Sequence, residues 1–89
     1  MNNHNDDITT GFNDLTQVEM SIIAAQKMVG SATMSMDEEI LADAARAVED
    51  ARALLQSAME SQTGLDGDFL QKSQNTLSQC EHQLQEARH

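Results

Sequence analysis

Two residues near the carboxyl end of the chain have side chains that could bind a metal ion or act as a nucleophile. Cys80 and His82 form a Cys-x-His pair, which occurs in zinc sites. Residues two positions apart on a helix are separated by about 200° of rotation, so these side chains would point to different sides. Cys80 also falls on an apolar stripe, which favours a small buried side chain over a ligand or a thiolate. We therefore predict no metal site and no cofactor.

A second candidate for metal binding is the sequence Asp66-Gly67-Asp68, which resembles the start of a calcium-binding loop. Such a loop needs a further oxygen ligand at its fifth position and a glutamate at its twelfth. Leu70 and Leu77 occupy those positions here. The sequence therefore predicts a capped turn without calcium.

General acid–base catalysis would need carboxylates that face each other in a desolvated cleft. Asp43, Glu49 and Asp50 instead alternate with Arg46 and Arg52, at spacings typical of a solvated helix surface. A glycine-rich phosphate loop and a Ser-His-Asp set are also absent from the sequence. We predict that the protein is not an enzyme and takes no small-molecule substrate.

Composition excludes further classes of function. The 89 residues include 15 acids and 5 bases, a formal net charge of −10, and such a surface repels nucleic-acid phosphates. The aromatic residues are Phe12 and Phe69, too few for a base-stacking platform. The sequence has no membrane-spanning apolar segment, a polar amino terminus and one cysteine. We therefore expect a cytoplasmic protein that binds neither nucleic acid nor membrane.

The elements that would position any site are helices. Leu15, Val18, Ile22, Ala25 and Val29 recur at spacings of three and four, which places them on one face of a helix. This pattern predicts a first helix over residues 12–29 that ends at Gly30. Residues 1–10 show no such period and predict a flexible acidic and polar tail.

Two more helices follow. Ser35 and Glu38 fit a capping box that begins a second helix over residues 36–61. The glycine-rich and acidic segment 62–68 predicts a loop with a helix cap, and a third helix is predicted over residues 68–88.

Three amphipathic helices with short connections predict an all-α fold, an antiparallel up-down-up three-helix bundle that forms one domain over residues 11–89. This topology gathers one set of side chains at each end: Phe12, Met59, Leu65 and Phe69 at the first, and Met28, Met34, Met36 and Leu84 at the other. The alternative is a hairpin of the second and third helices, with the first helix donated to a second chain.

The first helix has a second apolar strip opposite its core stripe, formed by Met20, Ile23 and Ala24 with Lys27 one turn on. Monomeric proteins rarely expose such strips without a function. One interpretation is that the first helix is the most buried element. The other is an interface, with a second copy in a homodimer or with a partner helix. We predict a protein–protein interaction module that self-associates through this helix.

A different class of function also fits the charge. An acidic helical bundle could imitate nucleic acid and occupy a basic cleft on a partner protein. Excess acid is common in solvated helical proteins, however, and by itself indicates no specific partner. This alternative therefore ranks second.

The stretch QVEMSIIAAQKMVGSATMSMD, residues 17–37, followed by an acidic alanine-rich helix, resembles short uncharacterised proteins of Bacillus-type bacteria that form a family of unknown function. The resemblance covers residues 12–88 and implies a bacterial, cytosolic setting without a catalytic motif. The small aspartyl-phosphate phosphatases of the sporulation phosphorelay carry Ser-Gln followed shortly by a catalytic Asp. Here Ser73-Gln74 is followed by Asn75, Thr76 and Leu77, so this activity is not predicted.

Overall fold

The protein is a bundle of three α-helices. The computed structural model describes the backbone of residues 3–61 and 66–88, and the side chains of residues 15–60 and 66–88. Within these ranges the chain forms α1 (Asn3–Ser35), α2 (Glu38–Ser61) and α3 (Gly67–Ala87), and no strand. Each helix packs against the other two. The predicted all-α three-helix bundle is therefore confirmed.

One apolar stripe from each helix forms the core. Its members recur at the predicted spacings of three and four residues: Val18, Ile22, Ala25, Val29 and Ala32 on α1, Leu41, Ala44, Val48, Ala51, Leu55 and Ala58 on α2, and Leu77, Cys80 and Leu84 on α3. Phe69, Leu70 and Ala87 pack partly buried against this cluster. The core thus runs along the bundle and contains mostly aliphatic side chains.

Side-chain contacts show that α2 and α3 run in opposite directions. The Arg52 Nε donates a hydrogen bond to Glu81 Oε2 over 2.8 Å, and the Gln74 Nε2 lies 3.9 Å from Met59 Sδ. Met59 follows Arg52 by seven residues on α2, while its partner Gln74 precedes Glu81 by seven residues on α3. This reverse order is that of an antiparallel pair. The up-down-up order of all three helices stays a prediction.

The predicted grouping of side chains at the two ends of the bundle is tested only in part. Met36 and Ala87 line one cavity at the same end of the bundle. Phe12 and Leu65, predicted at the opposite end, lie outside the residues whose side chains are described. The grouping at that end therefore stays a prediction.

Helix α1 is longer than the predicted range of 12–29. It begins at Asn3 and continues through Gly30 to Ser35, so the predicted end at Gly30 is wrong. Ala32 extends the buried stripe by one more turn, and its packing outweighs the roughly 1 kcal/mol that glycine costs inside a helix. The side chains of the predicted tail, 1–10, lie outside the described residues, so its separation from domain 11–89 stays a prediction.

The connection between α1 and α2 differs from the predicted capping box. Met36 has a φ of 59°, and its N–H donates to the Ala32 carbonyl over 2.8 Å, an arrangement that terminates helices. The Asp37 carboxylate then accepts hydrogen bonds from the N–H groups of Glu39 and Ile40 at 2.8 and 3.4 Å. Asp37 is therefore the N-cap, and α2 begins at Glu38 rather than at residue 36.

Helix α3 begins with the predicted type of cap. The Asp66 carboxylate accepts a hydrogen bond from the Asp68 N–H over 3.2 Å, so Asp66 is the N-cap and α3 begins at Gly67, one residue earlier than predicted. Residues 62–65 of the predicted loop lie outside the described residues. Of the two carboxylates of the calcium-like sequence, Asp66 thus caps α3 and Asp68 lies in its first turn.

We expect Leu77→Ala to destabilise the fold strongly, because Leu77 is completely buried and its truncation leaves a cavity. The expected loss in the free energy of unfolding is about 2 to 5 kcal/mol. Met34→Ala is the control, since Met34 is 86% exposed and its truncation should change stability by about 0.5 kcal/mol or less. Urea denaturation followed by circular dichroism measures both, and equal losses would contradict the assignment of the core.

Asp37→Ala should lower the free energy of unfolding by about 1 kcal/mol, because it removes the acceptor for two N–H groups at the start of α2. Ser35→Ala should cost less, since the Ser35 hydroxyl accepts only the Asp37 N–H, over 3.2 Å. The same denaturation experiment compares the two variants. A larger loss for Ser35→Ala would restore the capping box and exclude Asp37 as the N-cap.

Candidate interaction surface

The outward strip of α1 is exposed, as an interface would require. Met20 is 64% and Ile23 47% exposed, and Ala24 and Lys27 are also exposed. These residues lie on the side of α1 opposite the buried stripe, as the helical period predicts. The outer side of α1 is therefore not covered by the other described side chains, while the alternative that α1 is the most buried element stays a prediction, since the side chains of residues 1–14 lie outside the described residues.

The apolar surface extends further along α1 than the predicted strip. Met34 follows Lys27 by seven residues on the same side and is 86% exposed. Sequence reasoning missed it as part of the strip because the predicted helix ended at residue 29, although the spacing of Ala32 continues the helical period. We call Met20, Ile23, Ala24, Lys27 and Met34 the α1 outer face.

Exposed large apolar side chains are concentrated on α1 and the connection after it. Among the described residues, Met20, Ile23, Met28, Met34 and Met36 belong to this region, Ile40 and Met59 lie near the two ends of α2, and α3 contributes none. No helix in the described part of the chain is apolar over a stretch long enough to cross a lipid bilayer. The distribution marks α1 as the helix with an unpartnered apolar side.

The segment that carries the α1 outer face contains almost no charge. Residues 20–36 contain no Asp or Glu and a single base, Lys27, within a chain of net charge −10. Among the described side chains no ion pair involves Lys27 or Glu19, whereas Arg52 and Glu81 form one across two helices at 2.8 Å. The face therefore lies in the longest acid-free segment of a strongly acidic chain.

A shallow depression adjoins this face between α1 and α3. Its volume is about 170 Å³, and its lining includes Glu19, Ile23 and Gln26 from α1 and Phe69 and Lys72 from α3. Pockets for small ligands usually measure about 300–1,000 Å³, so this depression is smaller than a typical ligand pocket. Phe69 could not be assigned to it from sequence, because only the packing of α3 against α1 brings it there.

A larger groove lies between α2 and α3. It measures about 440 Å³ and is lined by Ala45, Val48, Glu49, Leu84 and Arg88, among others. Val48 and Leu84 are core residues, and the lining also contains charged side chains. This groove is the outer side of the seam between two packed helices, and its charged lining residues are Glu49, Glu81 and Arg88.

The structure does not bring Cys80 and His82 together. Cys80 is buried, and burial, with a smaller contribution from the charge of Glu81, raises the pKa of its thiol. His82 is exposed, with its Nε2 at 3.3 Å from Glu86 Oε2. In the described part of the chain, no three His, Cys, Asp or Glu side chains are grouped so as to hold a metal ion.

Comparisons with known proteins agree with the resemblance seen in the sequence. A family model described as "Protein of unknown function (DUF2564)" matches residues 11–89. The "Uncharacterized protein YpzA" of Bacillus subtilis (strain 168) is 42% identical over 84 residues, which cover 93% of this chain and 91% of the relative. No solved structure matches the chain. The predicted similarity to short uncharacterised proteins of Bacillus-type bacteria is therefore confirmed.

The raised pKa of Cys80 predicts a pH-dependent contribution to stability. The unfolded thiol ionises above its ordinary pKa of 9.0, while the folded thiol keeps its proton. The contribution is thus complete below pH 9 and is lost as the pH rises through the folded pKa, by at most about 1.4 kcal/mol per pH unit. The difference in unfolding free energy between the wild type and Cys80→Ala should therefore be smaller at pH 10 than at pH 8. A difference that stays constant in urea denaturation across this range would contradict the pKa shift.

Proposed function

The chain belongs to the DUF2564 family of proteins of unknown function, and we propose that it is a cytoplasmic protein–protein interaction module that self-associates through the α1 outer face. In this proposal the protein has no catalytic activity and needs no cofactor. The observation that carries it is the exposure of Met20, Ile23 and Met34 along one side of a helix whose opposite side forms the core. An apolar strip of this kind is typical of a contact surface.

The size of the strip indicates a reversible contact. Burying a fully exposed Ile or Met side chain contributes about 1.5 to 3 kcal/mol, and Met20, Ile23 and Met34 are each half-exposed or more. Complete burial of these three side chains in each of two copies contributes at most about 9 to 18 kcal/mol, against an association cost of about 4 to 15 kcal/mol. We expect a dissociation constant on the order of 10 to 100 µM.

The charge of the chain determines which face a second copy can approach. Two molecules of net charge −10 repel each other, and the repulsion is smallest where neither surface carries excess acid. The α1 outer face, within the acid-free residues 20–36, meets this condition. Added salt screens both the remaining repulsion and any attraction between charged side chains at the contact, so association should change little between 0.05 M and 0.5 M NaCl.

Binding that weakens steeply with added salt would favour the alternative function, an acidic mimic of nucleic acid. Exposed acids line α2, where Asp43 lies 3.7 Å from Arg46 and Glu49 and Asp50 are exposed. Capture of a basic protein by a monomeric chain, with an affinity that falls steeply as salt rises, would contradict self-association and favour the acidic nucleic-acid mimic.

Ile23→Asp should abolish self-association, because it places a carboxylate in the middle of the apolar contact. Light scattering on a sizing column at about 100 µM should give the wild type a mass above the 9.8 kDa of one chain and the variant a monomer mass. Met59→Asp is the control, since Met59 is an exposed apolar side chain on α2, outside the α1 outer face. It adds the same charge and should leave the wild-type mass unchanged.

Circular dichroism should show the same helix content in both variants. A monomeric wild type, or an Ile23→Asp variant that keeps the wild-type mass, would contradict self-association through α1.

A further inference from the structure

We propose that the second copy binds with α1 antiparallel to α1 of the first, around a twofold axis next to Ile23, so that Glu19 of each chain faces Lys27 of the other. This inference rests on the proposed self-association and assigns its partner, orientation and register. It is drawn from the order of charged and apolar residues along the outer side of α1.

The positions of three residues along α1 define the twofold axis. Glu19, Ile23 and Lys27 follow each other at intervals of four residues, so they form one ridge on the helix surface. At a rise of 1.5 Å per residue, Glu19 and Lys27 lie about 6 Å on either side of Ile23 along the helix axis. A twofold axis at Ile23 exchanges these two ends and brings opposite charges together.

The parallel arrangement is unfavourable for the same reason. It would place Glu19 opposite Glu19 and Lys27 opposite Lys27, so that both charged positions would repel. Glu19 and Lys27 are exposed, and the structure shows no ion pair for either among the described side chains. The antiparallel register supplies each of them with a partner, and it does so twice in every dimer.

The shape of the helix permits a close approach in this register. Gly30 lies seven residues after Ile23, and no atom lies within 4 Å of the position that a Cβ would occupy there. The proposed axis brings Gly30 opposite residue 16 of the second copy. Small residues at such positions let two helix backbones approach each other, while Met20 can adapt its flexible side chain to the contact.

Charge variants test the register. Glu19→Lys and Lys27→Glu should each weaken self-association by about tenfold, because each creates two like-charge contacts per dimer. The double variant Glu19→Lys/Lys27→Glu restores opposite charges at both contacts and should return to the wild-type dissociation constant. Sedimentation equilibrium measures all four proteins. In a parallel dimer the single variants would instead have the wild-type dissociation constant, since like charges would face each other in every case.

Cross-linking provides an independent measurement in a Cys80→Ala background, which removes the native thiol. An equimolar mixture of Glu19→Cys and Lys27→Cys chains should form a disulfide-linked heterodimer on mild oxidation, whereas Glu19→Cys alone should stay largely uncrosslinked. Disulfides require Cα atoms within about 7 Å. Cross-linking of Glu19→Cys with itself at the rate of the mixture would overturn the antiparallel register.

The outcomes separate this inference from the proposed function. If the wild type self-associates and Ile23→Asp abolishes it, but the single charge variants keep the wild-type dissociation constant, only the register is wrong. If the wild type is monomeric, or if Ile23→Asp leaves its mass unchanged, both the proposed function and the register are overturned.

Discussion

The rest of the structure depends on a core in which α1 and α2 supply small buried side chains. A domain of 89 residues has few apolar side chains to bury, and five of its core positions are alanines: Ala25, Ala32, Ala44, Ala51 and Ala58. The stripe of α1 that carries two of them must face inward to close the core. Because that stripe lies opposite Met20 and Met34, the same constraint turns these side chains to the outside.

The regular spacing of apolar residues made the buried face of α2 predictable from sequence, whereas the residues that signal helix ends were less informative. The six core positions of α2 from Leu41 to Ala58 recur in the sequence at spacings of three and four without interruption, and all six are buried. Gly30 signals a helix end, but α1 continues through it, and Ala32, two residues later, is buried in the core. Ser35 and Asp37 are both good capping residues, and only the backbone bend at Met36 selects Asp37.

The sequence predicts which residues form the candidate surface, but it does not predict that these residues are exposed. The helical period alone identifies Met20, Ile23 and Ala24 as a second apolar strip on the first helix. A helix that is apolar on two sides can be central or peripheral in a bundle, and the choice depends on how the other helices pack around it. The depression beside Ile23 needs Phe69 from α3, which is distant in sequence, so no local pattern could reveal it.

The alanines of the core also limit how this protein can diversify. Their methyl groups are completely or almost completely enclosed, so a longer side chain at any of them would force the helices apart. Replacements there are restricted to residues of similar volume, while positions on the outside of the helices can change with little effect on folding. New binding properties would therefore arise through drift of the outer residues, with the spacing between the helix axes held nearly constant.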